Sequence, residues 1–444
     1  MEPIAYLALE IKQRELDSRL LVAAYLLNSG VAVVFGQQWS IFANSAALPP
    51  GVVLFKTVNA IQAANMANFR AAGHLVTATD EEVLCCHKDD QCFLEVFSPT
   101  AADNCDLFFA QSDAHKGAIE RAFPKLAGKT RVTGNTRIDF LAPSRLAIHR
   151  QEAEQIVRQY GPYVLFNTNY GQTNSIWRSM DDVVQIAGKA GMVNLMDPKS
   201  VEEYKAKLEW ERRNCKEMIN LMVWSIKNCP RHKIILRPHP SERVDYWREQ
   251  FQGQSDRFVV IPRSNPHPWL LGADLVVHTT CTTGLEAKIL GRPIVNLAPL
   301  RHPTFDYITD WSMPTFTTWQ DAAAAISEFL DRNKGPIVEN EDKYDQVLTD
   351  HFWKYKEGSA AARVAQAMKE LLKSHDSRSI REFKPYFRQP GFRTYARNDT
   401  LRDKFTLSQD ELIGRIKQVL ALAGLKVNIN LSQLDDSVFL LFPK

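Results

Sequence analysis

The 444-residue chain has few cysteines, and their number, seven, is odd. Its first residues, MEPIAYLALEIKQRELD, carry acidic side chains early and only a short apolar run, unlike an export signal. An odd set of thiols without such a signal argues for reduced cysteines and a cytoplasmic protein rather than a disulfide framework. The cluster Cys85, Cys86, His87 and Cys92 lacks the C-x2-4-C spacing of a zinc site, so no metal is expected there. No stretch approaches the roughly 18 uninterrupted apolar residues of a transmembrane helix. Net charge is only +3, too little for the chain as a whole to announce a nucleic-acid binder, and no nucleic-acid partner is expected. Low-complexity segments and repeats of solenoid period are also missing. What remains is ordinary soluble composition, 45% apolar and 24% charged. The length suits two domains of roughly 150 to 200 residues and a tail.

Apolar runs and helical patterns alternate along the chain. YLALEI (6 to 11), VAVVFG (31 to 36), VVLFKT (52 to 57), HLVTAT (74 to 79) and CDLFFAQS (105 to 112) read as strands. Residues 15 to 30 and 59 to 73 carry apolar positions at helical spacing. Near-continuous β-branched and aromatic strands between helices indicate a parallel sheet covered on both faces. RVTGNTRIDFLAPSR (131 to 145) is rich in turn residues and closes this half. The alternation then restarts, with strands YVLFNTN (163 to 169), KIILRPHP (233 to 240), RFVVIP (257 to 262), ADLVVHT (273 to 279) and PIVNLA (293 to 298). The reading is α/β, with Rossmann-like domains at 1–143 and 144–374 facing a central cleft and an extension at 375–444. Helices at 321 to 333 and 358 to 374 would cross back onto the first domain. Between Arg378 and Lys404 eight basic residues stand against three acidic ones among several aromatics. That segment suits peripheral contact with an anionic membrane surface or, equally, packing with its charges solvated.

Open α/β sheets bind ligands at the carboxyl ends of their strands. In KIILRPHPSER two prolines restrict the backbone around His239, at such an end, with Arg237 before it and Ser241 after it. An imidazole there can donate to a phosphate oxygen, with Arg237 adding fixed charge. In VVHTTCTTGLEAKIL the residues Thr279, Thr280, Thr282 and Thr283 stand where a strand gives way to a helix, a favourable anion site. Glu286, one turn on, can accept from ribose hydroxyls. On the first domain, Asp80, Glu81 and Glu82 follow HLVTA, and adjacent carboxylates raise one another's pKa toward a range useful in proton transfer. Glu10 is another strand-end carboxylate, and Lys12 and Arg14 beside it could pair with a carboxylate of a ligand. Asn167 and Asn169 in NTNYGQTN suit hydrogen bonding to sugar hydroxyls.

Together, RPHPSE and HTTCTTGLEA resemble the HP and paired Ser/Thr motifs of bacterial CMP-sialic acid and CMP-Kdo transferases. The ordered set LEIKQRELDSRLLVA, TDEE, TGNTRIDFL, LFNTNYGQTN, RPHPSE and HTTCTTGLEA is similar, over roughly residues 4 to 300, to bacterial surface carbohydrate biosynthesis proteins of capsule and O-antigen type. The resemblance implies a GT-B fold and a cytidine nucleotide held by His239 and the threonines, with Glu286 near the ribose. It also places a catalytic carboxylate in the TDEE turn, although Val83 stands where that motif has glycine. The implied activity is metal-independent transfer of an acidic sugar, Kdo or another nonulosonate, from a CMP-sugar co-substrate to a glycan or lipid-linked acceptor. No other cofactor is implied, and the setting would be the cytoplasmic face of the inner membrane. Alternatives are a CDP-glycerol or CDP-ribitol phosphotransferase, a UDP-sugar transferase or epimerase, and a catalytically silent subunit keeping the fold.

Overall fold

A computed structural model describes residues 3–81, 94, 97–175, 179–189, 192–254, 256–262, 264–300, 307–331, 341–355, 357–373 and 405–444. By contact the chain divides into two compact units. Of the described residues, the first holds those up to Ile148 and again from Thr349 onward, and the second those from His149 to Leu348.

The first unit is built on an eight-stranded sheet. Its strands are β1 (Ile4–Leu9), β2 (Ala32–Gln37), β3 (Val52–Phe55), β4 (Leu75–Thr79), β5 (Leu107–Ala110), β6 (Thr130–Val132), β13 (Ile429–Asp435) and β14 (Val438–Pro443), in the order β13-β14-β2-β1-β3-β4-β5-β6. From β2 to β6 every pairing is parallel. All six residues of β1 are buried, as the unbroken apolar run IAYLAL requires of a strand covered on both faces. One face packs on helix Lys12–Asn28, which buries Leu20, Leu21, Ala24 and Leu27, together with helices Ala360–Leu372 and Gln409–Leu422. The other face packs on Ala63, Met66 and Phe69 of helix Ala60–Ala71.

Of the two helices expected to cross back onto the first domain, Trp319–Asp331 instead buries Ala322, Ile326 and Phe329 in the core of the second unit. Helix Ala360–Leu372 belongs to the first unit because Ala361, Val364 and Met368 bury against the core that helix Lys12–Asn28 covers. Its N-terminus is held by Asp139, which accepts from the Ser359 hydroxyl (2.7 Å) and from the amides of Ala360 (2.9 Å) and Ala361 (2.8 Å). At the C-terminal end β13 and β14 form a hairpin that joins the first sheet, with β14 antiparallel to β2 and Phe439 opposite Phe35. Gly36 permits this: a Cβ there would lie 2.1 Å from the Ser437 carbonyl oxygen. The turn-rich segment after residue 130 also contributes a strand, β6. The cysteine cluster 85–92, Glu82 and the basic-aromatic segment lie outside the described residues.

The second unit carries a six-stranded parallel sheet of β7 (Tyr163–Asn167), β8 (Lys233–Arg237), β9 (Phe258–Val260), β10 (Leu275–His278), β11 (Ile294–Leu297) and β12 (Thr315–Phe316). The order is β12-β11-β10-β7-β8-β9, the arrangement of a dinucleotide-binding Rossmann sheet. Val164, Phe166, Ile234, Leu236, Val277 and Val295 form its core with Met218, Leu221 and Met222 of the long helix Pro198–Asn228. Among the described residues no helix is long and apolar enough to cross a membrane. Each unit is a doubly wound α/β body, and the fold class is the two-domain Rossmann-like type.

Candidate functional site

In the second unit the strand order reverses between β7 and β10, and ligands of such sheets sit at the carboxyl ends beside that switch. Three loops leave the sheet there: 168–175 after β7, 238–243 after β8 and 279–281 after β10. A cavity of about 320 Å³ is lined by residues of all three, His239, Ser241, Thr279, Thr280 and Asn169 among them. One wall is the stripe Tyr204, Lys207, Glu211 and Asn214 of the long helix, spaced three and four residues apart. Another wall is apolar, with Val183, Ile186 and Ala187 of helix Met180–Lys189 and with Met192.

His239 is fixed by short-range chemistry. The Ser241 amide donates to its Nδ1 at 3.3 Å and the Ser241 hydroxyl lies 2.6 Å from the same atom. An Nδ1 that accepts leaves the ring proton on Nε2, the tautomer suited to donate to an oxygen outside the turn. Gly171 lets the neighbouring loop close over this pair, since a Cβ there would meet Ser241 Oγ at 1.8 Å.

Glu242, three residues after His239, ties the loops together. Its buried carboxylate accepts from the Thr168 hydroxyl (2.9 Å), the amides of Tyr170 (3.1 Å) and His239 (3.0 Å) and the Trp247 indole (2.8 Å). Burial pushes this carboxyl up and the four donors pull it back. A backbone bond from Arg243 to Asn174 (3.0 Å) completes the join.

At the end of β10 the threonines divide. Thr279 and Thr280 line the cavity, and the Thr279 hydroxyl bonds Tyr170. Thr282 and Thr283 begin helix Thr282–Ile289, whose start no side chain caps, and they are not cavity-lining residues. Thr280 has φ +38°, a left-handed conformation unusual for a β-branched residue. Asn296 of β11 holds it there by accepting from its amide at 3.1 Å, while donating to Asp310 (2.6 Å) and Thr315 (2.9 Å). His278 is buried and pushed down to about 3 by desolvation, so it is neutral, and it accepts from the Cys281 amide at 3.4 Å. Gly284 packs against that ring.

Other expected residues are engaged elsewhere in this unit. Arg237 donates through Nε to Ser264 (2.9 Å), through Nη1 to Asn167 (3.4 Å) and also to the Ser264 carbonyl. Burial pushes its guanidinium down to about 10. Arg237 therefore braces the ends of β7 and β8 and is not part of the cavity wall, and Asn167 is buried beside it. Glu286 is buried 3.6 Å from His267, also away from the wall.

The first unit gathers a second charged group, at its own switch point between β1 and β3. Lys56 after β3 pairs with Glu10 (2.7 Å) and Glu15 (2.9 Å), which push its ammonium above the usual range against the effect of burial. Glu15 also accepts from the amides of Glu10 (2.9 Å) and Ile11 (3.1 Å), closing the start of helix Lys12–Asn28. Glu81 pairs with the fully buried Arg19 at 3.0 Å, and Asp80 is buried beside it in sequence. Lys12 donates to the Thr406 carbonyl (2.8 Å) and to Glu411 (3.0 Å). Arg14 stays half-buried on the first helical turn. Among the described residues no three metal-ligating side chains converge.

Glu211, Asn296 and Glu242 were not singled out in the sequence. The signal for Glu211 was a carboxylate on the stripe that also buries Leu208, Cys215 and Met218. For Asn296 it was an amide inside the apolar run PIVNLA.

No known protein family and no curated protein matches the chain in sequence. Solved structures do match in shape. A proposed UDP-N-acetylglucosamine 2-epimerase from Listeria monocytogenes superposes with TM-score 0.52 at 13% identity, covering 85% of this chain and 98% of that one. The S. aureus MnaA co-structure with UDP gives 0.50 at 14%, covering 85% and 99%. At such identity the likeness shows the fold, two Rossmann-like domains of GT-B type.

Proposed function

We infer that the chain is a nucleotide-sugar enzyme of GT-B type that holds a pyrimidine nucleotide in the cavity of the second unit and acts on a UDP-activated sugar, as an epimerase or a glycosyltransferase, in building a surface glycan. The observation that carries this reading is the convergence of His239, Ser241, Thr279 and Thr280 on one cavity at the switch point. His239 Nε2 and the hydroxyls of Ser241, Thr279 and Thr280 offer donors to phosphate oxygens. The apolar wall and Tyr204 suit a base or sugar face. Two neighbours that share the fold are described with UDP or UDP-N-acetylglucosamine, which favours a UDP-sugar over the CMP-sugar implied by the motif resemblance. The nucleotide sugar would be the co-substrate, with no other cofactor.

Calorimetric titration with UDP, CDP and CMP tests this. UDP is expected to bind, and His239→Ala to weaken it by about tenfold to a hundredfold, the worth of a hydrogen bond to a charged group. Binding of CMP with no response to UDP overturns the UDP reading. Unchanged UDP affinity in His239→Ala removes the phosphate role given to the imidazole.

A further inference from the structure

Among the described residues that line the cavity, Glu211 is the one carboxylate. Its Oε1 takes three donors: the Gln172 amide at 3.1 Å, the Thr173 amide at 2.9 Å and the Thr173 hydroxyl at 3.1 Å. Its Oε2 has no hydrogen-bond partner among the described residues. Three N–H and O–H groups aimed at one oxygen leave a single place for a proton, which is the other oxygen. Burial, with the Glu242 carboxylate nearby, raises this carboxyl to about 7. The titratable groups around it are Glu242, Tyr170 and Cys215, all influenced by its charge or influencing it, together with Lys207 on the same helix face and His239 across the loop. A phosphate-bearing ligand adds negative charge to the cavity, and that favours the neutral acid further.

We propose that Glu211 binds as a neutral acid, donating its Oε2 proton in a hydrogen bond to an oxygen of the anionic ligand, so that above neutrality the cavity draws up to one proton from solvent as the ligand seats. This rests on the nucleotide-sugar reading of the same cavity and adds a ligand-contacting residue to it. The proton comes from bulk water or buffer and stays on Glu211, and no bond of the ligand breaks.

The test is calorimetry of the full chain with UDP-N-acetylglucosamine and UDP-glucose, whose diester phosphates do not ionise near neutrality. Titrations run from pH 6 to pH 8.5 in buffers of different ionisation enthalpy. The wild-type protein is expected to take up close to one proton at pH 8 and much less at pH 6, with affinity falling toward about tenfold per pH unit above neutrality. Glu211→Gln keeps an acceptor for the three donors and puts a permanent NH2 where the proton sat. It is expected to bind at pH 8 as the wild type does at pH 6, without proton uptake and without pH dependence. Glu211→Ala, lacking the donor, is expected to bind weakly at every pH. His239→Asn should retain the uptake, which assigns it to the carboxyl rather than the imidazole. Uptake unchanged in Glu211→Gln, or lost in His239→Asn while Glu211→Gln keeps it, overturns the proposal and leaves the nucleotide-sugar reading standing. If the wild type binds neither UDP-sugar at any pH, both fall. Circular dichroism on each variant confirms that it is folded.

Discussion

Above neutrality Glu211 carries a charge where little water reaches it, and the folded state bears that cost. Its carboxyl sits at about 7 in the fold against an ordinary 4.5, so between those values the folded chain holds a proton that the unfolded chain has released. Stability from this group is therefore greatest below about 4.5, falls as pH rises to 7, and is flat beyond. The full shift is worth at most about 3 kcal/mol. Glu211→Gln should accordingly melt higher than the wild type at pH 8 and at nearly the same temperature at pH 5. A melting difference independent of pH would mean that the carboxyl does not titrate in this range. A residue that weakens its own fold at working pH is what a binding site tends to keep. His239 could be read in the sequence because prolines flank it at a strand end, a local pattern. The partner carboxylates could not, because Glu211 reaches the loop at Gln172–Thr173 and Glu242 reaches Thr168 and Tyr170 only through folding.

Helix Thr282–Ile289 shows how an element, rather than a side chain, sets the site. A Cβ on Gly284 would lie 2.2 Å from the His278 ring, so the helix can approach β10 only with glycine at that turn. Gly284→Ala should destabilise by about 1 to 3 kcal/mol, the usual cost of overpacking. His278→Ala in the same chain should recover part of that loss, and a denaturant double-mutant cycle with no coupling would exclude the contact as the cause. Helix Ala360–Leu372 depends in the same way on Asp139. Asp139→Ala leaves the amides of Ala360 and Ala361 without their acceptor, for an expected loss of about 1 to 2 kcal/mol in chemical unfolding. Strands and helices were plain in the sequence wherever their period was local: β7, β8 and β10 fall within three residues of the bounds of the runs that announced them. β6 was not, since three residues in a turn-rich stretch carry no period of their own and pair with β5 through the sheet alone.

At the scale of the molecule, the two-sheet architecture followed from alternation, but the fate of the C-terminal residues did not. Polar Asn428 and Asn430 and the apolar SVFLLF run announce a hairpin without saying which edge it will join. β14 adds to β2, and Leu412, Ile416 and Val419 cover the same core as Leu20 and Leu21. Removing 405–444 should therefore expose the β2 edge and an apolar face, and the shortened chain is expected to aggregate; a soluble, fully folded truncation by gel filtration and circular dichroism would contradict that. The pairing of Val33 with Leu441 has a consequence in time. On the ribosome, residues 149–348 can complete their own sheet as soon as they emerge, whereas the sheet begun by Ile4–Leu9 waits for a partner some four hundred positions later. Through most of synthesis β2 is an open apolar edge, exposed to wrong pairing until residues 438–443 are made.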